Sequence, residues 1–125
     1  ICASPGEMSI LSVTAQFFGK CEIVEFVPKE SFFPVPKVDS AIIKITTFEN
    51  NSVLRDESKQ LFPIVKSGFA SRRKTLMNNL CSGLQISKQV AKEILQASSL
   101  DENVRAQDLS VEQWKALTNQ AHNHL

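Results

Sequence analysis

Val38-Asp39-Ser40-Ala41-Ile42-Ile43-Lys44-Ile45-Thr46-Thr47-Phe48, followed at once by Glu49-Asn50-Asn51-Ser52, is where the chain changes character. The first stretch is rich in β-branched residues, and its Ala41-Ile42-Ile43 centre reads as a strand buried on both faces. The polar tetrapeptide after it marks a boundary between two parts. Working back, Cys21 to Val27 is a shorter β-branched and aromatic run closed by Pro28, and reads as another strand. Earlier still, Ile10-Leu11, Val13 and Phe17-Phe18 fit a helix, with Gly19 as its natural stop.

Working forward, the apolar period becomes helical. Leu61, Val65 and Phe69 recur at i, i+4 and i+8, with Phe62 and Ile64 widening the stripe. Pro63 fits this helix only if it lies in the first turn. Leu76, Leu80 and Leu84 form a second stripe, stopped near Gly83, and Ile86, Val90 and Ile94 a third, supported by Ala91 and Leu95. Ser110 and Gln113 have capping-box spacing before a last helix whose Val111, Trp114, Leu117 and Ala121 face one way. Trp114 at that spacing reads as core. The expected organisation is an α+β chain, with a helix and two strands in residues 1–48 and a small all-α bundle of four short helices in residues 49–125.

The 125 residues are 42% hydrophobic and 22% charged, the composition of a soluble globular protein. The formal charge of +1 says nothing about a nucleic-acid partner, but its distribution does. Residues 55–74 hold six basic side chains (Arg55, Lys59, Lys66, Arg72, Arg73, Lys74) against Asp56 and Glu57, the one strong local field in the chain. Cys2, Cys21 and Cys81 are odd in number and form no C-x-x-C pair, which argues against a metal site or a disulfide framework and fits a reducing cytoplasm. No apolar run is long enough to cross a membrane. The chain opens at Ile1, in the loop Ala3-Ser4-Pro5-Gly6, and is expected to be part of something longer.

Between the strands lies Phe32-Phe33-Pro34-Val35-Pro36-Lys37. Pro34 and Pro36 forbid regular structure and stiffen the backbone toward an extended form. Such a loop suits either of two roles: a packed strand connection, or the wall of a pocket in which Phe32 stacks on a base and Lys37 meets a phosphate. Arg72-Arg73-Lys74 is open in the same way. Three adjacent cations spread around a helix make a dense patch for RNA phosphates, or are a solvated surface that partners the preceding helix dipole. Ser12 and Gln16 have no base beside them to activate a hydroxyl and read as structural.

Four segments occur in an order that resembles one family. These are Leu11-Ser12-Val13-Thr14-Ala15-Gln16; Phe32 to Ser40, read as F-x-P-x-P-K-V-D-S; Phe69 to Leu80, read as F-x-x-R-R-K-T-L-x-N-x-L; and Arg105-Ala106-Gln107-Asp108-Leu109-Ser110. Together they resemble the KsgA-type small-subunit rRNA adenine dimethyltransferases over nearly the whole chain. One departure is Met8-Ser9-Ile10, where that family commonly has Y-G-R.

The resemblance implies that residues 1–48 are the last helix and two strands of a Rossmann-like, S-adenosylmethionine (SAM)-dependent methyltransferase domain. Residues 49–125 are then a helical RNA-binding domain. It implies dimethylation of N6 on two adjacent adenines of small-subunit rRNA, with the immature small ribosomal subunit as partner and a monomeric cytoplasmic enzyme. The target adenine would stack on Phe32, in a pocket loop held by Pro34 and Pro36, and Lys37, Arg72, Arg73 and Lys74 would meet RNA. SAM and the catalytic N-L-P-Y-type motif are expected upstream of Ile1, so these residues alone are expected to be inactive. Two alternatives share the fold: an erythromycin-resistance-type enzyme acting on large-subunit rRNA, and a nucleic-acid-binding relative without catalysis.

Overall fold

A computed structural model describes residues 1–49 and 51–124; Asn50, within the expected polar break, lies outside the described residues. The elements are α1 (Ile10–Phe18), β1 (Gly19–Val27), β2 (Ser40–Thr47), α2 (Asn51–Gly68), α3 (Leu76–Leu84), α4 (Lys88–Ala97) and α5 (Val111–His124). Short 3-10 turns occupy Lys29–Ser31 and Ala106–Asp108. None of the described helices is long and apolar enough to cross a membrane.

The start of α1 is set by a reciprocal cap: Ser12 N–H donates to Ser9 Oγ at 3.2 Å and Ser9 N–H to Ser12 Oγ at 3.3 Å. Val13 and Phe17, one turn apart, are buried. The helix does stop at Gly19, though not through a left-handed cap: Gly19 is extended (φ −169°) and is already the first residue of β1. Glycine is required there by proximity, since a Cβ would lie 2.6 Å from the Thr46 carbonyl of β2. Phe48 N–H then donates to the Phe18 carbonyl at 2.9 Å, closing helix and ribbon together.

β1 and β2 pair antiparallel from Gly19↔Thr47 to Val27↔Ser40, with one irregularity between Ile23 and Glu25 that leaves Val24 unmatched. The expectation of two-sided burial for β2 is not met. Every residue of β2 is exposed, with Ile42 at 50% and Ile45 at 47%. The physical reason is that the ribbon has only two strands and no second layer covers its faces among the described residues. The connecting loop also departs from a simple extended path: Phe32 is extended, but the chain bends through Phe33 and Pro34, which are joined by a cis peptide.

α2 runs through 18 residues, so Pro63 lies well inside it and not in its first turn. Pro63 and Lys59, whose carbonyl loses its helical donor, are both exposed, so the interrupted helical hydrogen bond lies on the solvent side of α2. α3 passes through Gly83 and ends at Gln85, which takes the left-handed conformation (φ 54°). Gly83 is small for another reason: a Cβ would meet Ser67 Cβ at 2.5 Å where α2 crosses α3. α5 opens on the expected box, Gln113 N–H to Ser110 Oγ at 3.2 Å and Ser110 N–H to Gln113 Oε1 at 2.8 Å.

Trp114 is fully buried at the centre, stacked on Phe69 with ring centroids 5.5 Å apart. Around it lie Leu61, Val65, Leu76, Leu80, Ile94, Leu95, Leu109 and Leu117, and the same cluster takes in Met8, Val13 and Phe17. The apolar core therefore crosses the 48/49 boundary, with α1 supplying one side of it.

Candidate functional site

The loop between β1 and β2 is closed by its own side chains. Lys29 N–H donates to Asp39 Oδ1 at 2.8 Å, tying the loop's two ends across ten residues of sequence. Within it, Ser31 N–H donates to the Pro28 carbonyl at 3.0 Å and Phe32 N–H to the Lys29 carbonyl at 3.2 Å. Phe32 is 43% exposed at the end of this turn and Phe33 is wholly exposed; Pro34, Pro36 and Lys37 are also open to solvent. The sequence reading missed Asp39 as the clamp, although a carboxylate just before a strand is a common turn-closing signal.

Arg72, Arg73 and Lys74 lie on the turn between α2 and α3, ahead of the Thr75 cap, and not around a helix as expected. All three are exposed, and among the described residues neither they nor Lys37 make an ion pair. At the end of α2 the Gly68 carbonyl accepts from Asn79 Nδ2 at 2.8 Å. The same amide donates to the Ser71 carbonyl at 2.9 Å, and Arg105 Nη1 to the Arg72 carbonyl at 3.3 Å.

A cleft of about 460 Å³ opens beside this turn. Arg72, Lys74 and Arg105 face Glu7 across it, and the Met8-Ser9-Ile10 segment forms its other wall. That segment hangs on one carbonyl, Gln107, which accepts from Gly6 N–H at 2.9 Å and Met8 N–H at 3.2 Å. The family departure and the basic turn, far apart in sequence, thus line one cleft. Phe32 lies outside it.

Gln16 is structural, its amide donating to the carbonyls of Ile1 (2.8 Å) and Ala3 (2.9 Å). Cys2 and Cys21 line a separate cleft, and burial, then the neighbouring Cys2, raise the Cys21 thiol above its ordinary pKa. It is protonated at neutral pH and is no activated nucleophile. The described glycines do not form the glycine-rich turn of a nucleotide-binding loop. A dinucleotide-like loop needs glycines grouped between a strand and a helix, whereas Gly19 meets a neighbouring strand, Gly68 and Gly83 sit at helix packing contacts, and Gly6 stands alone in open space.

The family described as ribosomal RNA adenine dimethylase matches residues 1–123. The chain belongs to that family. Among relatives of this chain, the ribosomal RNA small subunit methyltransferase A of Dehalococcoides mccartyi (strain CBDB1) is 39% identical over 117 residues, covering 94% of the chain and 40% of that protein. The proteins of the same name from Alkaliphilus metalliredigens (strain QYMF) and Desulfitobacterium hafniense (strain Y51) are 40% and 41% identical, covering 93% and 94% of the chain and 42% and 43% of their own lengths. The chain thus spans about two-fifths of the curated relatives it matches. In three dimensions it is similar to a dimethyladenosine transferase from Plasmodium falciparum (TM-score 0.73, 20% identity, 98% of this chain and 52% of that one). It is also similar to the 23S rRNA methyltransferase ErmE (TM-score 0.64, 22% identity, 94% and 47%). At those identities the two structures speak for the fold.

Proposed function

We propose that this chain is the base-presenting and RNA-holding part of a small-subunit rRNA adenine N6,N6-dimethyltransferase. The observation that carries the reading is its 39–41% identity, over nearly the whole chain, to proteins named for small-subunit rRNA methylation. In the complete protein, residues 1–48 complete a Rossmann-like methyltransferase domain and residues 49–125 form the RNA-binding unit, with α1 shared between their cores. Phe32 stacks on the target adenine, worth about 1–3 kcal/mol per base. The closed loop from Lys29 to Asp39 and the rings of Pro34 and Pro36 hold that phenyl group in place, so little ordering remains when the base arrives. Lys37, Arg72, Arg73 and Lys74 neutralise RNA phosphates.

SAM supplies the methyl groups when bound, and it is held by residues outside this chain. The reading further takes the complete enzyme as a cytoplasmic monomer acting on the immature small subunit, with residues 1–125 alone inactive. What this chain contributes to the rate is placement of the exocyclic amine.

The test is to incubate the complete protein and SAM with small-subunit and, separately, large-subunit precursors, and to map methylated adenines by mass spectrometry. N6,N6-dimethyladenosine at two adjacent small-subunit positions is the expected result. Methylation of the large subunit alone selects the erythromycin-resistance-type activity, and RNA binding without methylation selects the non-catalytic relative.

A further inference from the structure

We infer that Asn79 is a positioning residue for the basic turn, fixing the backbone from which Arg72, Arg73 and Lys74 project. The inference rests on the reading that this turn meets RNA.

Asn79 is 3% exposed, on α3 between the core residues Leu76 and Leu80. Asparagine is a poor choice there on helix propensity, and its amide is costly to bury without partners. Both amide hydrogens are used: Nδ2 donates to the Gly68 carbonyl at 2.8 Å and to the Ser71 carbonyl at 2.9 Å. These carbonyls bracket the turn, one at the last residue of α2 and the other immediately before Arg72. A single buried group therefore sets both where α2 ends and the point at which the three cations begin.

The other ties are of a different kind. Leu76 N–H donates to the Val104 carbonyl at 2.9 Å, behind the turn. Arg105 Nη1 reaches the Arg72 carbonyl at 3.3 Å, but on the exposed side, where salt and RNA compete for the guanidinium. The backbone of the turn also bonds to itself, Ala70 N–H to the Ser67 carbonyl at 3.2 Å and Lys74 N–H to the Ser71 carbonyl at 3.4 Å. Among the described residues Asn79 is the side chain that ties the turn ahead of the cations, through a buried bond to Gly68 and a part-buried one to Ser71. Arginine and lysine side chains are long, so their hold on phosphates depends on how far the backbone beneath them is already ordered.

The test uses the complete protein and an unmethylated small-subunit rRNA transcript, with affinity measured across a salt series. Four proteins are compared: unsubstituted, Asn79→Ala, the triple variant Arg72→Ala/Arg73→Ala/Lys74→Ala, and all four changes together. Asn79→Ala is expected to weaken binding about tenfold, the loss of one charge-assisted contact, and to flatten the salt dependence. In the triple-variant background it should change nothing further. An equal loss in that background, or no loss in the unsubstituted one, overturns the inference. A triple variant that binds like the unsubstituted protein defeats instead the RNA-facing reading of the turn. Should Asn79→Ala fail to fold, amide relaxation of the unsubstituted protein decides: order parameters at Arg72 and Arg73 near the rigid value of about 0.85 support the positioning role, and values below about 0.6 end it.

Discussion

Gly68 closes α2 against the central tryptophan, and a Cβ there would come within 2.6 Å of Trp114 Cη2 and 2.9 Å of Leu76 Cδ1. Trp114 has no room to yield, being fully buried. Gly68→Ala is therefore expected to lower stability by about 1–3 kcal/mol through overpacking, measurable as a lower urea midpoint. A helix-end glycine is easily misread as a conformational requirement, whereas here the demand comes from a side chain far along the sequence. At Phe32 the prediction is functional: Phe32→Ala in the complete enzyme should cut methylation by about tenfold to a hundredfold, the worth of one stacked base, with SAM affinity unchanged. Isothermal titration with SAM beside a methylation assay checks it, and parallel loss of both contradicts the stacking role.

Element by element, what could be read from the sequence follows from where the determining contacts lie. The start of α5 was legible because its cap is local, Ser110 with Gln113; α1 was legible from its apolar spacing, while its equally local Ser9–Ser12 cap was not read. The end of α3 was not, because Gln85 adopts the left-handed conformation that the nearby Gly83 appeared to offer. The burial of β2 was misread because a continuous apolar centre such as Ala41-Ile42-Ile43 reports only that a strand is apolar, while burial depends on a covering layer. The candidate residues at 32–37 and 72–74 were visible as motifs; Asp39, Asn79 and Met8-Ser9-Ile10 stood in the quoted segments, but their roles as clamp, turn tie and cleft wall did not show, since each acts through a contact that spacing does not encode. Inside α2, Pro63 offers a prediction in the opposite direction. An interior proline costs about 3 kcal/mol relative to alanine, partly offset by about 1 kcal/mol from its stiffer unfolded chain. Pro63→Ala should raise stability by about 2 kcal/mol, seen as a higher melting temperature.

For the whole molecule, the core that crosses residue 48 makes the helical half dependent on α1. Residues 49–125 expressed alone lose Met8, Val13 and Phe17 from the buried cluster, each worth about 2 kcal/mol. Thermal unfolding should show that piece markedly less stable than residues 1–125. RNA binding is expected to follow the local field and not the net charge of +1. Each phosphate contact removed from the basic turn should reduce the slope of log affinity against log salt by about 0.7 on single-stranded RNA. One feature of the chain path bears at once on both regions proposed to face RNA. β1 begins at the residue after α1 ends, and the Phe48 to Phe18 hydrogen bond bolts the far strand to the same point. The ribbon carrying Phe32 and the helix walling the basic cleft are thus joined with no linking residue between them, like the two jaws of a caliper. On the proposed reading, such a tool would gauge its substrate by the length between the accessible adenine and its anchoring phosphates.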